Sequence, residues 1–443
     1  MPKSNIIFMH SHNTGQFVEP YGHAVPTPNL FRLAQEGVLF RKAFAAAPTC
    51  SPSRASFLSG MYPHSCGMLG LAHRGFPMTD YDQHIVRVLN QIGYLTATSG
   101  VEHTAPEINT IGYDHILSGL DTNYPDLPKR LNPAEAAAAF LKNAPDQPFF
   151  LNLGLNETHR PFPKAEPEKY LAEDARYCIP PRPFPDTPET RADVADFKAA
   201  ARIMDDAYGL VLDALDETGL ADNTFVFCFA DHGLQFPRNM CNLTDHGIAV
   251  YFIARGPQHF QGGQVLDQMV SLIDLVPTVY DLLNVDQPDH VEGKSLLPLV
   301  EAPDATHHDH IFAEVNYHAS YEPMRCVRTS RYKYIRRYDQ RDQLVLPNVD
   351  DTPSKVFLLD QDWIDQPRHQ EMLYDLIFDP DETNNLIDQP QTAAIQAELS
   401  HRLDQWMKDT NDPILATGHV PAPKGSQIND PDGQSPKDAT ITM

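Results

Sequence analysis

A cysteine at the start of a predicted helix is the strongest chemical feature of the sequence. Cys50 is followed by Pro52 and Arg54 in the segment CSPSRASFLSG. Proline is favoured in the first turn of a helix, so this spacing predicts that Cys50 lies at a helix N-terminus. The free backbone N–H groups and the helix dipole favour an anion there, and Arg54, one turn later, can neutralise it. The segment therefore predicts a centre that holds negative charge at Cys50.

Two further groups of polar residues follow predicted buried strands. The first strand, at residues 4–10, leads into a polar turn that contains His12 and Asn13. A later apolar strand ends directly in Asp231 and His232. Open α/β sheets bind ligands at the carboxyl ends of their strands, so both turns are candidate sites.

Alternating strand and helix patterns must position these residues. Further buried strands are predicted at residues 38–44, 95–99, 148–155, 224–230 and 249–254. Helices are predicted between them, at residues 27–34, 85–93, 133–143, 191–218 and 271–283. Repeated β and α units favour a parallel sheet. We therefore expect an α/β fold in which helices flank a mainly parallel sheet.

The pattern changes near residue 310. Shorter strand-like pieces follow it, and an amphipathic helix is predicted at residues 391–408. The last segment is rich in Pro, Gly, Asp and Ser and has no periodicity, so no secondary structure is assigned to it. The sequence thus predicts a catalytic domain, a smaller α+β domain and an extended tail, at residues 1–310, 311–414 and 415–443 respectively.

Composition excludes several classes of protein. Of the 443 residues 42% are hydrophobic and the mean hydropathy is -0.39, and no run approaches the roughly 18 apolar residues of a membrane span. The net charge of -25, without any basic run, argues against nucleic-acid binding. The apolar run near the N-terminus is too short for the core of a signal peptide. The six scattered cysteines do not resemble the disulfide framework of a secreted domain. We therefore expect a cytoplasmic protein, of unspecified oligomeric state, with no membrane or nucleic-acid partner.

The cysteine segment resembles the signature of the sulfatase family, Cys-x-Pro-Ser-Arg closed by Leu-(Thr/Ser)-Gly. Other segments resemble the heparan N-sulfatase branch of that family, namely GMLGL at 67–71, RAD at 191–193, DHG at 231–233, LYDL at 373–376 and DPDE at 379–382. The similarity covers most of the chain up to about residue 390. It implies an alkaline-phosphatase-like core, a smaller C-terminal domain with a short antiparallel sheet, and a sulfated saccharide as substrate.

The resemblance also implies a catalytic mechanism. In the family, a formylglycine-generating enzyme oxidises the cysteine, and the hydrated aldehyde supplies the nucleophilic oxygen, which assigns Cys50 and Arg54 to catalysis. His103 matches the base that acts on the covalent sulfate intermediate, and His159 matches the histidine that touches the sulfate and the leaving-group oxygen. The sequence departs from the family pattern where two lysines are replaced, by Val101 and, on alignment, by Met240.

A divalent metal ion, Ca²⁺ in the family, is implied as well. Its ligands here would be His12, Asn13, Asp231 and His232, although sulfatases usually carry two adjacent aspartates where this sequence has His12 and Asn13. A single carboxylate weakens the case for calcium, which prefers oxygen ligands. Imidazole ligands favour Mn²⁺ or Zn²⁺ instead.

Five other side chains are candidates for substrate binding. His73 and Arg74 follow the cysteine helix and could meet the leaving group, and Arg238 could replace the second missing lysine. His318 and Arg325 resemble positions on the substrate side of the branch. A solvated loop explains the first two nearly as well, and packing explains the last two.

Three functions remain open on the sequence. The leading hypothesis is hydrolysis of a sulfate ester or sulfamate on a sulfated saccharide. Asp231-His232-Gly233 also resembles the related phosphonate monoester hydrolases, which favours a phosphonate monoester or phosphodiester substrate as the alternative. Loss of the two lysines and of the aspartates favours a third function, noncatalytic binding of a sulfated ligand. We predict the first.

Overall fold

The computed structural model describes residues 3–119, 123 and 131–443. Residues 1 and 2 lie outside the described residues. They belong to the N-terminal segment on which the predicted cytoplasmic location rests. Within the described ranges no helix combines the length and the apolar character needed to cross a bilayer.

The strands are β1 Asn5–Ser11, β2 Val38–Phe44, β3 Leu95–Gly100, β4 His115–Ile116, β5 Phe149–Gly154, β6 Thr224–Ala230, β7 Ala249–Val250, β8 Phe252–Arg255, β9 Gln264–Ser271, β10 His310–Tyr317, β11 Tyr321–Thr329, β12 Tyr332–Arg337, β13 Glu371–Asp375, β14 Gln427–Asn429 and β15 Thr440–Thr442. The α-helices are α1 Pro28–Glu36, α2 Cys50–Ser59, α3 Pro63–Cys66, α4 Ile85–Gln91, α5 Pro133–Lys142, α6 Pro188–Thr218, α7 Asp245–Ile248, α8 Leu275–Leu283, α9 Leu297–Glu301, α10 Pro353–Leu359, α11 Ala393–Asp409 and α12 Pro413–Thr417.

A mainly parallel sheet forms the core of the larger part of the chain. Its strands run in the order β4-β3-β5-β1-β6-β8-β2-β7, and β9 pairs with β2. β1 lies in the middle and pairs in parallel with both β5 and β6. All residues of β1 and of β6 are buried, as expected for strands that helices cover on both faces. The predicted α/β fold with a mainly parallel sheet is confirmed.

Helix α6 shows how the flanking helices are fixed to this sheet. Thr187 caps its start, where the hydroxyl accepts the N–H of Thr190, and Gly219 ends it in the left-handed region at φ 72°. From the buried side of α6, the Asp205 carboxylate accepts the N–H groups of Asn29 and Leu30, both at 2.9 Å. One helix thereby caps the N-terminus of α1 and holds it in place.

A four-stranded antiparallel sheet, β10-β11-β12-β13, forms the smaller part. Helix α11 packs on it through Trp406, whose ring stacks on Phe312 at 4.8 Å between centroids. The same apolar cluster includes Met61 and Met68, which follow α2. The small sheet therefore packs directly against the segment after the cysteine helix.

The tail beyond residue 415, predicted as extended and without secondary structure, contains paired strands. β14 and β15 form an antiparallel hairpin. Arg74 ties this hairpin to the larger part of the chain, because its Nη1 donates to Asn429 Oδ1 at 2.8 Å and its Nη2 to the Pro436 carbonyl at 3.2 Å. These strands are short and mostly polar, and contacts with the rest of the chain hold them in place. The sequence therefore has no apolar periodicity there that would predict them.

Candidate active site

Helix α2 places Cys50 inside the protein. The helix begins at Cys50, as predicted, and every residue of it is buried. Only 3% of Cys50 is exposed. The thiol therefore lies at an N-terminus whose backbone N–H groups point into an enclosed site.

The ends of β1 and β6 surround the Cys50 sulfur. His12 Nε2 lies 2.9 Å from Sγ and His232 Nε2 lies 3.4 Å from it, while Asn13 Oδ1 is 3.9 Å away. Burial raises the pKa of the Cys50 thiol, and the Asp231 carboxylate raises it further. A thiol held neutral in this way is a poor nucleophile, so unmodified Cys50 is not equipped to attack a substrate.

Asp231 is the charged centre of the site. Its Oδ1 accepts the N–H groups of Asn13 and His232, both at 2.8 Å, and Arg54 Nη2 lies 3.0 Å from Oδ2. Burial alone would raise the pKa of this carboxyl, but His232, Arg54 and the backbone donor outweigh it and hold the pKa below its usual value. The strand end allows no larger residue at Gly233, because an added Cβ would lie 2.0 Å from the His246 carbonyl oxygen.

His10, which the sequence analysis did not select, fixes the other edge of Arg54. Arg54 Nη1 donates to His10 Nδ1 at 3.1 Å and to the Val101 carbonyl at 2.6 Å. Burial, with a contribution from Arg54, lowers the pKa of His10 to about 3. The imidazole is therefore neutral, and its Nε2–H donates to Asn152 Oδ1 at 2.9 Å. Its position at the end of a buried strand was the available signal.

The predicted catalytic histidines meet beside Cys50. The ring of His12 lies 4.5 Å from that of His159 and 5.9 Å from that of His103, between centroids. His73 stacks on His103 at 5.3 Å. His103 has a left-handed backbone, at φ 69°. Burial, then Arg54 and His73, lower the pKa of His103 to about 4, so its imidazole is a neutral proton acceptor near pH 7.

Two polar residues behind this group were also missed. Gln235 Oε1 accepts from Asn13 Nδ2 at 2.8 Å, and Gln235 Nε2 lies 3.4 Å from His159 Nε2 and donates to Asp350 Oδ2 at 2.7 Å. Gln235 follows Asp231 by four residues, which was a usable signal. Asp350 comes from the smaller part of the chain, and no motif marks it.

The five predicted substrate-binding residues are divided by the structure. His73 contacts the histidine group, and His318 lies partly buried near it, where burial and His232 lower its pKa to about 3. Arg238 lines a cavity of about 630 Å³ together with Met240. Arg74, as described above, binds the terminal hairpin.

Arg325 does not fit the predicted role in substrate binding. Its side chain is fully buried, with Nε 3.1 Å from Glu314 Oε2 and 2.5 Å from Asp412 Oδ2. No surface of the guanidinium remains for a substrate. We correct Arg325 to a packing position, because a strand of the small sheet directs it into the interior.

The site offers a suitable set of metal ligands. His12, Cys50, Asp231 and His232 each contribute a ligand atom, and these atoms lie within 4.8 Å of one another. His232 Nδ1 lies 3.1 Å from the Gly233 carbonyl, which places the hydrogen on Nδ1 and the lone pair of Nε2 toward Cys50. Burial lowers the pKa of both histidines, so they are neutral, as metal ligands must be.

Comparison with known proteins identifies the family. The family model described as Sulfatase matches residues 5–285, more than half of the chain. The chain belongs to the sulfatase family. It is therefore a sulfuric ester hydrolase by class, and a divalent metal ion and formylglycine are general features of its family. A second model, N-sulphoglucosamine sulphohydrolase, C-terminal, matches residues 231–372.

Individual relatives agree with this assignment. Human N-sulphoglucosamine sulphohydrolase is 30% identical over 88% of this chain and 87% of its own. An ulvan-active sulfatase of Formosa agariphila is 25% identical over 93% of this chain and 76% of its own. A structure solved with its substrate, D-glucosamine-2-N,6-O-disulfate, superposes with a TM-score of 0.69 at 21% identity and covers 93% of this chain and 98% of that one. The predicted heparan N-sulfatase-like branch of the sulfatase family is thereby confirmed.

Proposed function

We propose that this sulfatase removes a sulfate ester or sulfamate from a sulfated saccharide, with Cys50 converted to formylglycine by a maturation enzyme. The observation that carries the proposal is the position of Cys50 at the N-terminus of α2, enclosed by His12, His232 and the Asp231–Arg54 ion pair. Two relatives whose names specify sulfated saccharides, N-sulphoglucosamine and ulvan, support the substrate class.

Formylglycine would supply a hydrated aldehyde as the nucleophile that the buried neutral thiol cannot provide. Around it, the chain's own groups divide the work of charge and proton handling. Arg54 is fully buried and paired with Asp231, so it would hold that carboxylate in place and add to the fixed charge of the enclosed site, which is a large part of catalysis. Neutral His103 would accept a proton on the Cys50 side.

His159 would assist the leaving group. Its Nδ1 lies 2.5 Å from the Arg160 carbonyl, so Nδ1 carries a hydrogen and Nε2 is the atom that exchanges a proton. Gln235 holds this edge of the ring through its contact with Nε2. With the Gln235 amide N–H turned aside from Nε2, a proton on that nitrogen would pass to the oxygen of the departing alcohol or to the nitrogen of the departing amine.

The ligand types favour a metal other than calcium. His12, Asp231 and His232 would hold the ion, with Asn13 and residue 50 beside them. Two neutral imidazoles and one carboxylate suit Mn²⁺ or Zn²⁺ better than Ca²⁺. When bound, such an ion would add positive charge beside the sulfate oxygens.

A phosphonate monoester or phosphodiester is the second candidate substrate. The observation that favours it is His232 Nε2 at 3.4 Å from Cys50 Sγ, which puts an imidazole in the ligand set. Sulfate capture is also weakened at the two positions where the family has lysine. Met240 is buried, and Val101 contributes only its backbone carbonyl, which accepts a hydrogen bond from Arg54. The same two departures from the family pattern, together with the missing aspartates, are what favour noncatalytic binding.

One experiment separates these functions. The chain is produced together with a formylglycine-generating enzyme, and mass spectrometry across residue 50 measures conversion of the thiol to an aldehyde. The converted protein, supplied in turn with Mn²⁺, Zn²⁺ and Ca²⁺, is assayed on N- and O-sulfated glucosamine and on a phosphodiester. The matched variants are Cys50→Ala and Cys178→Ala, both at buried cysteines.

We expect turnover of the sulfated sugars that Cys50→Ala abolishes and Cys178→Ala retains. Faster Cys50-dependent cleavage of the phosphodiester would replace the sulfatase proposal by the second candidate. Fully converted protein that turns over neither substrate but binds the sulfated sugar would establish noncatalytic binding.

A further inference from the structure

A second group of metal-binding side chains lies at the junction between the two parts of the chain. It consists of Asp274, just before α8, and the adjacent His307 and His308, just before β10. His307 Nε2 lies 3.2 Å from Asp274 Oδ2, and His308 Nε2 lies 2.9 Å from the same oxygen. The group shares no residue with the cluster around Cys50.

The Asp274 carboxylate is fixed in orientation. Its Oδ2 accepts the N–H of Ser271 and its Oδ1 the N–H of Lys294, both at 2.9 Å. The side chain is fully buried, and its recorded ion-pair partners among the described residues are the two histidines. Burial would raise its pKa, but the histidines hold it below the usual value. A rigid carboxylate is thus presented to two imidazole nitrogens.

The spacing of these atoms suits a tetrahedral ion. Zinc bonds to nitrogen and oxygen of about 2.0–2.2 Å place tetrahedral ligand atoms roughly 3.3–3.5 Å apart. The observed separations are within a few tenths of an ångström of that range, so rotation of the imidazoles would complete the geometry. The two ring planes are inclined at 77°, which lets both Nε2 atoms approach one point from different directions.

The group is reachable from solvent. Both histidines line a cavity of about 330 Å³, and their side chains are 7% and 12% exposed. Three carboxylates, those of Asp267, Asp304 and Asp309, line the same cavity with one cation, Lys42, so the excess of negative charge favours entry of a cation. A water molecule from the cavity can serve as the fourth ligand.

We propose that Asp274, His307 and His308 form a second metal site that binds Zn²⁺. The ion joins the end of β9 in the large sheet to the segment that leads into β10, where His308 already forms an isolated bridge with Met269. Its role is structural, since it clamps the small sheet to the large one. Imidazole must be unprotonated to bind a metal ion, so zinc affinity falls as the pH is lowered.

The test is zinc stoichiometry in full-length, chelator-treated protein. Equilibrium dialysis against Zn²⁺ with metal analysis is carried out on the wild type, on His307→Gln/His308→Gln, and on the control His401→Gln/His419→Gln, which removes two exposed imidazoles. Glutamine can still donate to Asp274, so the test variant keeps the hydrogen bonds, and circular dichroism checks its fold. Thermal unfolding with and without Zn²⁺ gives a second readout.

We expect the test variant to bind one ion fewer than the wild type and to lose the zinc-dependent rise in Tm, while the control variant keeps both. The single variants His307→Gln and His308→Gln should each weaken zinc binding at this site by at least tenfold. Equal stoichiometry in the wild type and the test variant would overturn the proposal and leave the three residues as a hydrogen-bonded cluster. Activity is not a readout, so the result is independent of the sulfatase proposal.

Discussion

Replacing Arg325 by methionine should separate stability from catalysis. In the native protein this guanidinium contacts Glu314 and Asp412, and its Nη1 donates to the carbonyl of Met324 at 2.9 Å. Methionine fills much of the volume but leaves two buried carboxylates without their cation. Burial lowers the pKa of His64, but Glu314 raises it above its usual value. His64 can therefore hold a proton and offset part of the negative charge that the carboxylates leave.

The cost follows from the burial of all three groups. Removing one member of a buried ion pair costs about 3–5 kcal/mol, because an uncompensated charge remains in a medium of low dielectric constant. We therefore expect urea unfolding to show a free energy of unfolding lower by that amount. The kcat and KM for the sulfated substrate should be unchanged in the folded variant, since Arg325 has no surface in the Cys50 site.

Two controls define the result. Arg41→Met breaks the exposed pair with Asp267 and should cost about 0–1 kcal/mol. Adding Glu314→Gln to Arg325→Met should cost less than the sum of the single changes, because the second change removes one of the two stranded charges. An unchanged free energy of unfolding together with a tenfold higher KM would refute the packing assignment and return Arg325 to the substrate site.

Other predictions concern stability alone. Asp245→Asn should destabilise the protein near pH 7 and clearly less near pH 2. Arg328 and Lys333 outweigh burial and hold the pKa of Asp245 well below its usual value, so its stabilising effect is fully present above the usual carboxyl pKa and is lost only as the pH falls through the depressed pKa. Equal losses at both pH values in urea unfolding would contradict this. Phe8→Ala should lower the free energy of unfolding by about 3–5 kcal/mol, as the fully buried ring meets three other phenylalanines, and a loss under 1 kcal/mol by calorimetry would be inconsistent with that packing. Gly233→Ala should lower Tm more than Gly219→Ala, whose added Cβ meets nothing within 4 Å; equal shifts would count against the close backbone approach.

Strands buried on both faces were the easiest elements to predict from the sequence. β6, which is buried along its whole length, has the predicted boundaries because its apolar run ends sharply. β2 also has the predicted boundaries, although Arg41 within it is exposed. The predicted strand at 249–254 is divided at Tyr251 into β7 and β8. β9 was not predicted, because polar and apolar residues mix along it. β11 was also missed, since its buried arginines look exposed until their carboxylate partners are known.

The site could be predicted where one strand end or one helix start supplies the residue. His12, Asp231 and Cys50 are of this kind, and the structure brings them within contact of one another. Asp350 is different, because it acts through Gln235, a side chain distant in sequence. Pairwise contacts of this kind depend on the folded sheet and leave no local pattern.

The central position of β1 sets a time scale for maturation. β1 is made first, but its partners β5 and β6 end at residues 154 and 230. The pocket that buries Cys50 cannot close before then, because His232 follows β6. At synthesis rates of about 5–20 residues per second, Cys50 stays accessible for roughly ten to forty seconds after it is made. Under the proposed conversion of Cys50, a modifying enzyme would reach the thiol during this interval, and the yield of converted protein should depend on the rate of translation.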